Sequence, residues 1–282
     1  MYSIMLGLFT LYIGGYIIYN YPMRFYVYRN KNIKKLQKYT IDYFVKKHKK
    51  QECLVVYSPH GTHDYDTHCI RITLEDYVNN YLKKGRYDYY LKTEDEYNLL
   101  GMMGEEQNMK TIMKQQFPYR YVYDSQLSFF IGAKHSTTDF HTDKEDIQII
   151  YVIQGTKKIN LASAFEDYNM YARHPYNNYG LYSDIDMKNI DFERFPRFKN
   201  VEVKEVILHA GDALLIPRNW WHSVENIEDS VAITYRIYRP WYKIFIEYPE
   251  IIYNFVSNRR NPPLQKELEQ YLHSNKKHVI SA

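Results

Sequence analysis

Two histidines and one aspartate have the spacing of a metal site. His141 and Asp143 are separated by one residue, and His222 follows 79 positions after Asp143, within the segment GDALLIPRNWWHSV. On a strand, His141 and Asp143 would share one face, because successive side chains alternate between faces. Two imidazoles and one carboxylate suit Fe(II) and leave positions open on the metal. The spacing therefore predicts a non-haem iron(II) site.

A second group of candidate metal ligands lies earlier in the chain. Residues 58–69 contain His60, His63, His68 and Cys69 in a polar stretch. Zinc sites built from such residues combine two ligand pairs at regular spacing, and this segment has no matching second half. The group is therefore either a metal cluster or, as we favour, a loop with solvated histidines.

The second half of the chain has the pattern of short strands separated by turns. Glycines and Asn226 stand between its apolar stretches, and no helical stretch intervenes. This pattern is typical of a sandwich or jelly roll. The predicted strands cover residues 127–131, 147–153, 158–162, 201–208, 213–216 and 230–238.

The first half of the chain contains helical patterns. Residues 31–50 carry apolar side chains at helical spacing among lysines, and residues 53–57 form a short apolar strand. Thr73 begins another helix, with Glu75 and Asp76 in its first turn, where the helix dipole favours acidic residues. The fold class is therefore predicted to be mainly β, with one β-rich domain and helices flanking it.

Composition limits the classes of function. The 282 residues are 45% apolar and 25% charged, which is typical of a globular protein. Two cysteines exclude a disulfide framework and indicate a reducing compartment. The net charge of +4 is local, because residues 24–52 carry +8 and the remainder carries −4. A mildly acidic body offers no electrostatic footprint for nucleic acid, so no nucleic-acid partner is expected.

The N-terminal residues 1–23 contain no charged side chain and are followed by a basic stretch. About 20 apolar residues span a bilayer as a helix, and basic residues stay on the cytosolic side. We therefore expect an N-terminal hydrophobic helix that makes the chain a single-pass membrane protein with a cytosolic catalytic domain. The alternatives are a signal peptide, disfavoured by the missing basic start, and a buried or interfacial helix.

Four stretches resemble the cupin-like Jumonji C oxygenases. They are residues 136–143 (STTDFHTD), 153–158 (IQGTKK), 191–201 (DFERFPRFKNV) and 211–224 (GDALLIPRNWWHSV), and the likeness extends over about 73–239. The Glu-Arg-Phe-Pro run makes the sequence most similar to the asparaginyl hydroxylase that inhibits hypoxia-inducible factor. The resemblance implies a double-stranded β-helix (jelly-roll, cupin-like). It also implies an Fe(II) dioxygenase that couples decarboxylation of 2-oxoglutarate to hydroxylation of a protein side chain, with dioxygen as the other co-substrate.

The same resemblance assigns roles to individual residues. His141, Asp143 and His222 match the iron ligands. Lys157 matches the cation that binds the distal carboxylate of 2-oxoglutarate, a charge-assisted contact, and Lys158 takes this role if the register differs by one.

Further positions match the remainder of the co-substrate site. Thr138 and Tyr90 match hydroxyl donors to the same carboxylate, although ordinary strand packing would also explain both, Tyr90 especially. Gln148 and Arg236 stand where the family has asparagines that line the site.

Some positions depart from the asparaginyl hydroxylase. Leu181 and Tyr182 replace an arginine–glutamine pair that grips the substrate amide, and Tyr238 replaces a tryptophan. The iron and 2-oxoglutarate residues are thus retained while the substrate pocket differs, which puts asparagine specificity in doubt. Lysine demethylation is one alternative function. A non-catalytic, membrane-tethered binding module, with the charge of Arg236 in its site, is the other.

These observations divide the chain into four segments. Residues 1–23 are the expected anchor, 24–52 a basic juxtamembrane helix or linker, 53–240 the oxygenase domain, and 241–282 a helical tail. The resemblance implies a homodimer interface in the tail, while its pattern fits equally a helix that packs on its own barrel.

Overall fold

A computed structural model describes residues 24–58, 68–92, 98–118, 124–143, 145–173 and 180–238. Its strands are β1 (Tyr26–Tyr28), β2 (Glu52–Tyr57), β3 (His68–Thr73), β4 (Tyr89–Lys92), β5 (Asp124–Gly132), β6 (Thr137–His141), β7 (Ile147–Gln154), β8 (Thr156–Ala162), β9 (Lys204–His209), β10 (Ala213–Pro217), β11 (Trp221–Asn226) and β12 (Ser230–Tyr238). Its α-helices are α1 (Lys34–Gln37), α2 (Ile41–His48), α3 (Leu74–Asn80), α4 (Leu99–Met102) and α5 (Glu106–Gln116), and Leu82–Lys84 and Pro196–Asn200 are 3₁₀ helices.

The strands form two antiparallel sheets. The wide sheet has eight strands in the order β1-β10-β7-β12-β5-β4-β2-β3, and the narrow sheet has four in the order β6-β11-β8-β9. Sequence-adjacent strands often lie in different sheets, so the chain crosses repeatedly between the two. The prediction of a mainly β domain is confirmed.

Side-chain alternation along β12 separates the core from the cavity. Val231, Ile233, Tyr235 and Ile237 belong to the largest apolar cluster, which also contains residues of the N-terminal helices. The residues between them point to the other face of the sheet, which borders a cavity. Since a strand alternates with a period of two, β12 carries both the core and the cavity wall.

The N-terminal elements pack as part of this core. β1 pairs with β10 at one edge of the wide sheet. The predicted helix over 31–50 is two helices, because Thr40 caps the second one and accepts a hydrogen bond from the Tyr43 amide at 3.3 Å. Leu36 and Phe44, one from each helix, are fully buried.

The long connection between β8 and β9 covers the outer face of the narrow sheet. Phe195 and Phe198 from this connection cluster with Phe140 and Trp221 from the sheet. Val201 and Val203 pack against the same cluster and belong to the connection. β9 therefore begins at Lys204, whereas the sequence predicted that this strand begins at residue 201.

The predicted localisation as a single-pass membrane protein is corrected. The longest described helix, α5, has 11 residues, and none in the described ranges is long and apolar enough to cross a membrane. A span needs about 20 residues, because each adds only about 1.5 Å to the helix. Residues 1–23 and the helical tail at 241–282 lie outside the described residues, so the N-terminal hydrophobic helix is unsupported and the tail dimer stays a prediction.

Candidate metal centre

The two histidines meet across neighbouring strands. His141, at the end of β6, is directly opposite His222 on β11, and their ring centroids are 4.1 Å apart. Asp143 reaches them from the loop beyond β6, so strand alternation does not place it, contrary to the sequence argument. Thr142 fixes this loop, because its amide donates to the Leu181 carbonyl at 2.8 Å and its hydroxyl accepts from the Leu181 amide at 2.9 Å.

Backbone carbonyls orient both imidazoles. His141 Nδ1 lies 2.8 Å from the Asp139 carbonyl oxygen, and His222 Nδ1 lies 3.1 Å from the Trp220 carbonyl oxygen. A carbonyl only accepts, so each Nδ1 donates its proton to the backbone and each Nε2 is the atom left to bind a metal. The two Nε2 atoms lie 3.9 and 3.5 Å from the carboxylate oxygens of Asp143.

The protonation states of these residues, and a buried carboxylate oxygen without a hydrogen bond, suit the binding of a cation. Burial lowers the pKa of His141 to about 4, which keeps its imidazole neutral. Burial alone would raise the pKa of Asp143, but His222 and the charge of Arg236 outweigh it and the pKa lies below its ordinary value. Asp143 Oδ2 is buried and has no hydrogen-bond partner within the described residues. Neutral imidazoles and an ionised carboxylate are the forms that bind metal, and the three ligand atoms lie within 4.8 Å of one another, so these residues could hold a metal ion.

A cavity of about 680 Å³, including its open mouth, adjoins this centre. Lys157 lines the cavity, is 2% exposed, and donates through Nζ to Asn226 Oδ1 at 2.6 Å. Its partner is a neutral amide, and burial lowers the pKa of Lys157 to about 7. Lys158 lies on the other face of β8, where its Nζ is 2.6 Å from Glu225 Oε2. Lys157, and not Lys158, therefore lines the cavity.

The turn before β8 sets this register. Gly155 has a φ of +77°, and a Cβ there would collide with the Asp229 carbonyl oxygen. Only glycine adopts this conformation readily and leaves that space. The tight turn brings Lys157 opposite Asn226 on β11.

The other predicted co-substrate residues also line the cavity: Thr138, Tyr90, Gln148 and Arg236. Burial raises the pKa of the Tyr90 phenol. The Gln148 Nε2 atom lies 3.4 Å from His222 Nε2. Arg236 stands opposite Gln148 in the pairing of β12 with β7, and its Nε lies 3.4 Å from Glu145 Oε1.

Three residues have positions at the site that the sequence did not indicate: Lys92 and Tyr182 line the cavity, and Asn226 holds Lys157. The sequence marked Asn226 only as a turn residue, yet its side chain holds Lys157 and donates to Ser136 Oγ at 2.6 Å. Lys92 follows Tyr90 by two residues on β4, and that spacing could have indicated a shared face. Tyr182 stacks on the His141 ring with centroids 5.7 Å apart, a contact that no local pattern encodes.

The histidine-rich segment at 58–69 gives no metal cluster in the described chain. His60 and His63 lie outside the described residues, while His68 and Cys69 begin β3 and are exposed. Within the described ranges, the His141, Asp143 and His222 group alone meets the geometry of a metal site.

Sequence comparisons relate the chain to several proteins, among them one that is named for a JmjC domain. It is 34% identical over 113 residues to HSPB1-associated protein 1 of Homo sapiens, covering 40% of this chain and 23% of that protein. It is 34% identical over 111 residues to JmjC domain-containing protein D of Dictyostelium discoideum, covering 38% and 24%. It is 31% identical over 111 residues to lysine-specific demethylase JMJ30 of Arabidopsis thaliana, covering 39% and 25%.

The matched regions span about a quarter of the length of these relatives. A family model for the cupin-like domain, in contrast, matches residues 29–247, more than three quarters of the sequence. With its antiparallel sheets and a metal-binding geometry between them, the chain belongs to the family of cupin-like domains.

Proposed function

We propose that this protein is an Fe(II)- and 2-oxoglutarate-dependent dioxygenase that hydroxylates a side chain of a protein substrate, on a double-stranded β-helix. The observation that carries the proposal is the convergence of two histidine Nε2 atoms and one carboxylate at the wall of a cavity that also contains a buried lysine. Two nitrogens and one oxygen on one side of a metal leave positions for co-substrates.

Lys157 supports a co-substrate with two carboxylates. A cation that is 2% exposed and bonded to a neutral amide is costly until an anion binds beside it. On β11, Asn226, which holds Lys157, is four positions from the metal ligand His222, a distance of about 13 Å at the rise of a strand. A short dicarboxylate would fill this gap once the side chains reach inward, with one end at the metal and the other at Lys157.

The protein residues bind and orient the reactants in this proposal. Bound iron would supply the activation of dioxygen, and the two carbonyl-bound imidazoles and Asp143 would hold it at one place. Lys157 and the hydroxyls of Thr138 and Tyr90 would fix the distal carboxylate. Tyr182, stacked on His141 at the cavity wall, would help to exclude water.

A protein target is proposed from the relatives. The similar human protein is named as HSPB1-associated, which describes association with another protein. The similarity to the asparaginyl hydroxylase subgroup is part of this proposal and rests on the Glu-Arg-Phe-Pro run. In that run Phe195 packs in the apolar cluster under the narrow sheet, and Pro196 begins a 3₁₀ helix.

Succinate release tests the proposed reaction. The protein is loaded with Fe(II) and 2-oxoglutarate without oxygen and then exposed to air, with a cell lysate as the source of target proteins. We expect succinate to form and a mass increase of one oxygen to appear on a target peptide. A Lys158→Ala control should behave as wild type, because Lys158 pairs with Glu225 away from the cavity. Absence of succinate, even uncoupled from hydroxylation, would contradict the enzyme and leave a non-catalytic binding module.

Lysine demethylation is the second candidate, because one relative is named a lysine-specific demethylase. It predicts loss of methyl groups and release of formaldehyde from methylated lysine peptides. Mass spectrometry separates the two candidates, since a stable gain of one oxygen on a side chain indicates hydroxylation.

A further inference from the structure

The metal ligand Asp143 lies beyond the sheet that holds the other two ligands. β6 is an edge strand of the narrow sheet, and its pairing with β11 ends at His141 and His222. Asp143 follows two residues later, so the register that places the histidines does not place the carboxylate. Metal–ligand distances vary by only about 0.2 Å around their preferred values. Another element must therefore hold Asp143 in position.

Residues 180–183 of the connection between β8 and β9, here called the strap, lie along the outer edge of β6. The Ser183 amide donates to the Phe140 carbonyl at 3.0 Å. Closer to the carboxylate ligand, the Thr142 amide donates to the Leu181 carbonyl at 2.8 Å, and the Thr142 hydroxyl accepts from the Leu181 amide at 2.9 Å. The strap thus holds the residue that directly precedes the ligand.

The strap is itself anchored to the rest of the connection. The Tyr182 amide donates to the Arg173 carbonyl at 3.0 Å, and the Arg173 amide donates to the Tyr182 carbonyl at 2.8 Å. The Ser183 hydroxyl donates to the Met170 carbonyl at 2.6 Å. Between these anchors the Tyr182 ring lines the cavity and stacks on His141. The strap therefore joins the connection to both ligands at the end of β6.

Gly180 allows the strap to lie this close to the loop that carries Asp143. Its φ is +132°, a region that glycine adopts readily and other residues rarely. A Cβ at this position would overlap the carbonyl oxygen of Thr142, which belongs to the peptide bond that leads into Asp143. Gly85 and Gly104 also have positive φ, at +67° and +69°, but a Cβ at either position would meet nothing within 4 Å. The contact with Thr142 thus distinguishes Gly180 from these two glycines.

We propose that the strap positions Asp143 for the metal and that its docking depends on Gly180. The inference deepens the proposed function, because it rests on the metal site at His141, Asp143 and His222. Metal binding and strap docking then favour each other, since a ligand shifts a protein towards the conformation that binds it more tightly. Gly180 is a positioning residue, because it acts through Thr142 and not on the reactants.

Affinity for metal tests the inference without turnover. The full-length protein is titrated with Mn(II) by calorimetry, without oxygen and without 2-oxoglutarate, and Asp143→Ala gives the background binding. Gly180→Ala should bind Mn(II) about 10- to 100-fold more weakly, the loss that is typical when a residue that orients a metal ligand is changed. Gly85→Ala is the matched control, because it also places a side chain at positive φ but has room for the Cβ. Its affinity for Mn(II) should equal that of the wild type.

Substitutions at Thr142 decide the question even if Gly180→Ala fails to fold. Thr142→Val keeps the shape of the side chain and removes the hydroxyl that accepts from the Leu181 amide, so the affinity for Mn(II) should fall about tenfold. Thr142→Ser keeps the hydroxyl and should bind as the wild type does. A merely structural role would lower the free energy of unfolding in Thr142→Val and leave the Mn(II) affinity of the folded protein unchanged.

Amide hydrogen exchange measures the docking of the strap itself. Because coupling between two sites is reciprocal, saturating Mn(II) should slow exchange at the amides of 181–183 by about the factor that Gly180→Ala loses in affinity. In Gly180→Ala and Thr142→Val, Mn(II) should leave exchange at these amides unchanged.

Wild-type affinity for Mn(II) in Gly180→Ala or Thr142→Val would overturn the inference and leave the proposed dioxygenase standing. An equal loss of affinity in Gly85→Ala would also overturn it, because backbone strain alone would then explain the effect. A wild type that binds no Mn(II) above background would contradict both proposals. Succinate release in air is measured in parallel, so strap-dependent metal binding without any succinate would support the inference and contradict the dioxygenase.

Discussion

Raising the pH from 6 to 8 is expected to weaken the binding of 2-oxoglutarate to the Mn(II)-loaded protein about tenfold. The reason is the low pKa of Lys157, which burial brings to about 7. Only the charged ammonium can hold the distal carboxylate, so above this pKa the free protein must take up a proton before it binds. Tyr90, whose ring centroid is 5.9 Å from Lys157 Nζ, stays neutral because burial raises its pKa.

The magnitude follows from the fraction of Lys157 that is charged. With a pKa of about 7, roughly nine tenths of the lysine is protonated at pH 6 and roughly one tenth at pH 8. The dissociation constant rises by the ratio of these fractions, about tenfold, provided that the bound anion keeps the lysine protonated. Binding at pH 8 should therefore take up about 0.9 proton.

Lys157→Met separates this effect from other titrations. Methionine keeps an unbranched apolar stem in the same buried space but carries no charge. At pH 6 the variant should bind 2-oxoglutarate about ten- to hundredfold more weakly, since a hydrogen bond to a charged group contributes about 1.5–3 kcal/mol. Its affinity should not change between pH 6 and 8.

Isothermal titration calorimetry under nitrogen measures both quantities. Repeating the titration in buffers with different ionisation enthalpies gives the number of protons taken up. The reasoning is refuted if the wild-type dissociation constant changes less than twofold from pH 6 to 8 and no proton is taken up, or if Lys157→Met shows the same pH dependence.

Three further predictions concern the metal and the stability of the fold. Asp143→Ala should reduce bound Fe(II), measured by elemental analysis, and succinate release, measured by chromatography, to background. A metal content equal to that of the wild type would contradict this prediction. Trp221→Ala should lower the free energy of unfolding, measured with denaturant, by about 3–5 kcal/mol, because Trp221 is fully buried and donates a hydrogen bond to an aspartate at 2.9 Å. The control Phe165→Ala, at a side chain that is 69% exposed, should change this free energy by less than about 0.5 kcal/mol. Burial alone would raise the pKa of Glu105, but hydrogen bonds from a lysine and two tyrosines bring it to about 2. Glu105→Gln should therefore cost up to about 3 kcal/mol at pH 7. The difference from wild type should shrink as the pH falls from about 4.5 to 2 and vanish below pH 2, where Glu105 of the folded wild type is protonated. A difference at pH 2 as large as that at pH 7 would show that the carboxylate charge is not its source.

The sequence by itself determined the strand-rich half of the domain. The predicted strand at 230–238 coincides with β12, and that at 147–153 differs from β7 by one residue. These strands are buried on both faces, so their apolar and β-branched composition is strong enough to be read locally. Chemical type and spacing likewise singled out the two histidines and the aspartate.

Some short elements could not be predicted from the sequence, because tertiary contacts define them. β6 and β11 each carry a metal ligand and were not among the predicted strands, because their residues are mixed polar and apolar and pairing with neighbouring strands of the narrow sheet defines them. The helix predicted over 31–50 is divided at Thr40, where a side-chain cap competes with the continuing helix.

Only the tertiary structure decided how the site residues meet. The sequence put His141 and Asp143 on one strand face, but β6 ends at His141, and hydrogen bonds between Thr142 and Leu181 carry Asp143 to the histidines. The choice between Lys157 and Lys158 depended on which face of β8 points into the cavity, which the Gly155 turn and the pairing with Asn226 fix. Residues distant in sequence, such as Asn226 and Arg236, acquire their partners through sheet register, and register depends on pairing along whole strands, which no local pattern contains.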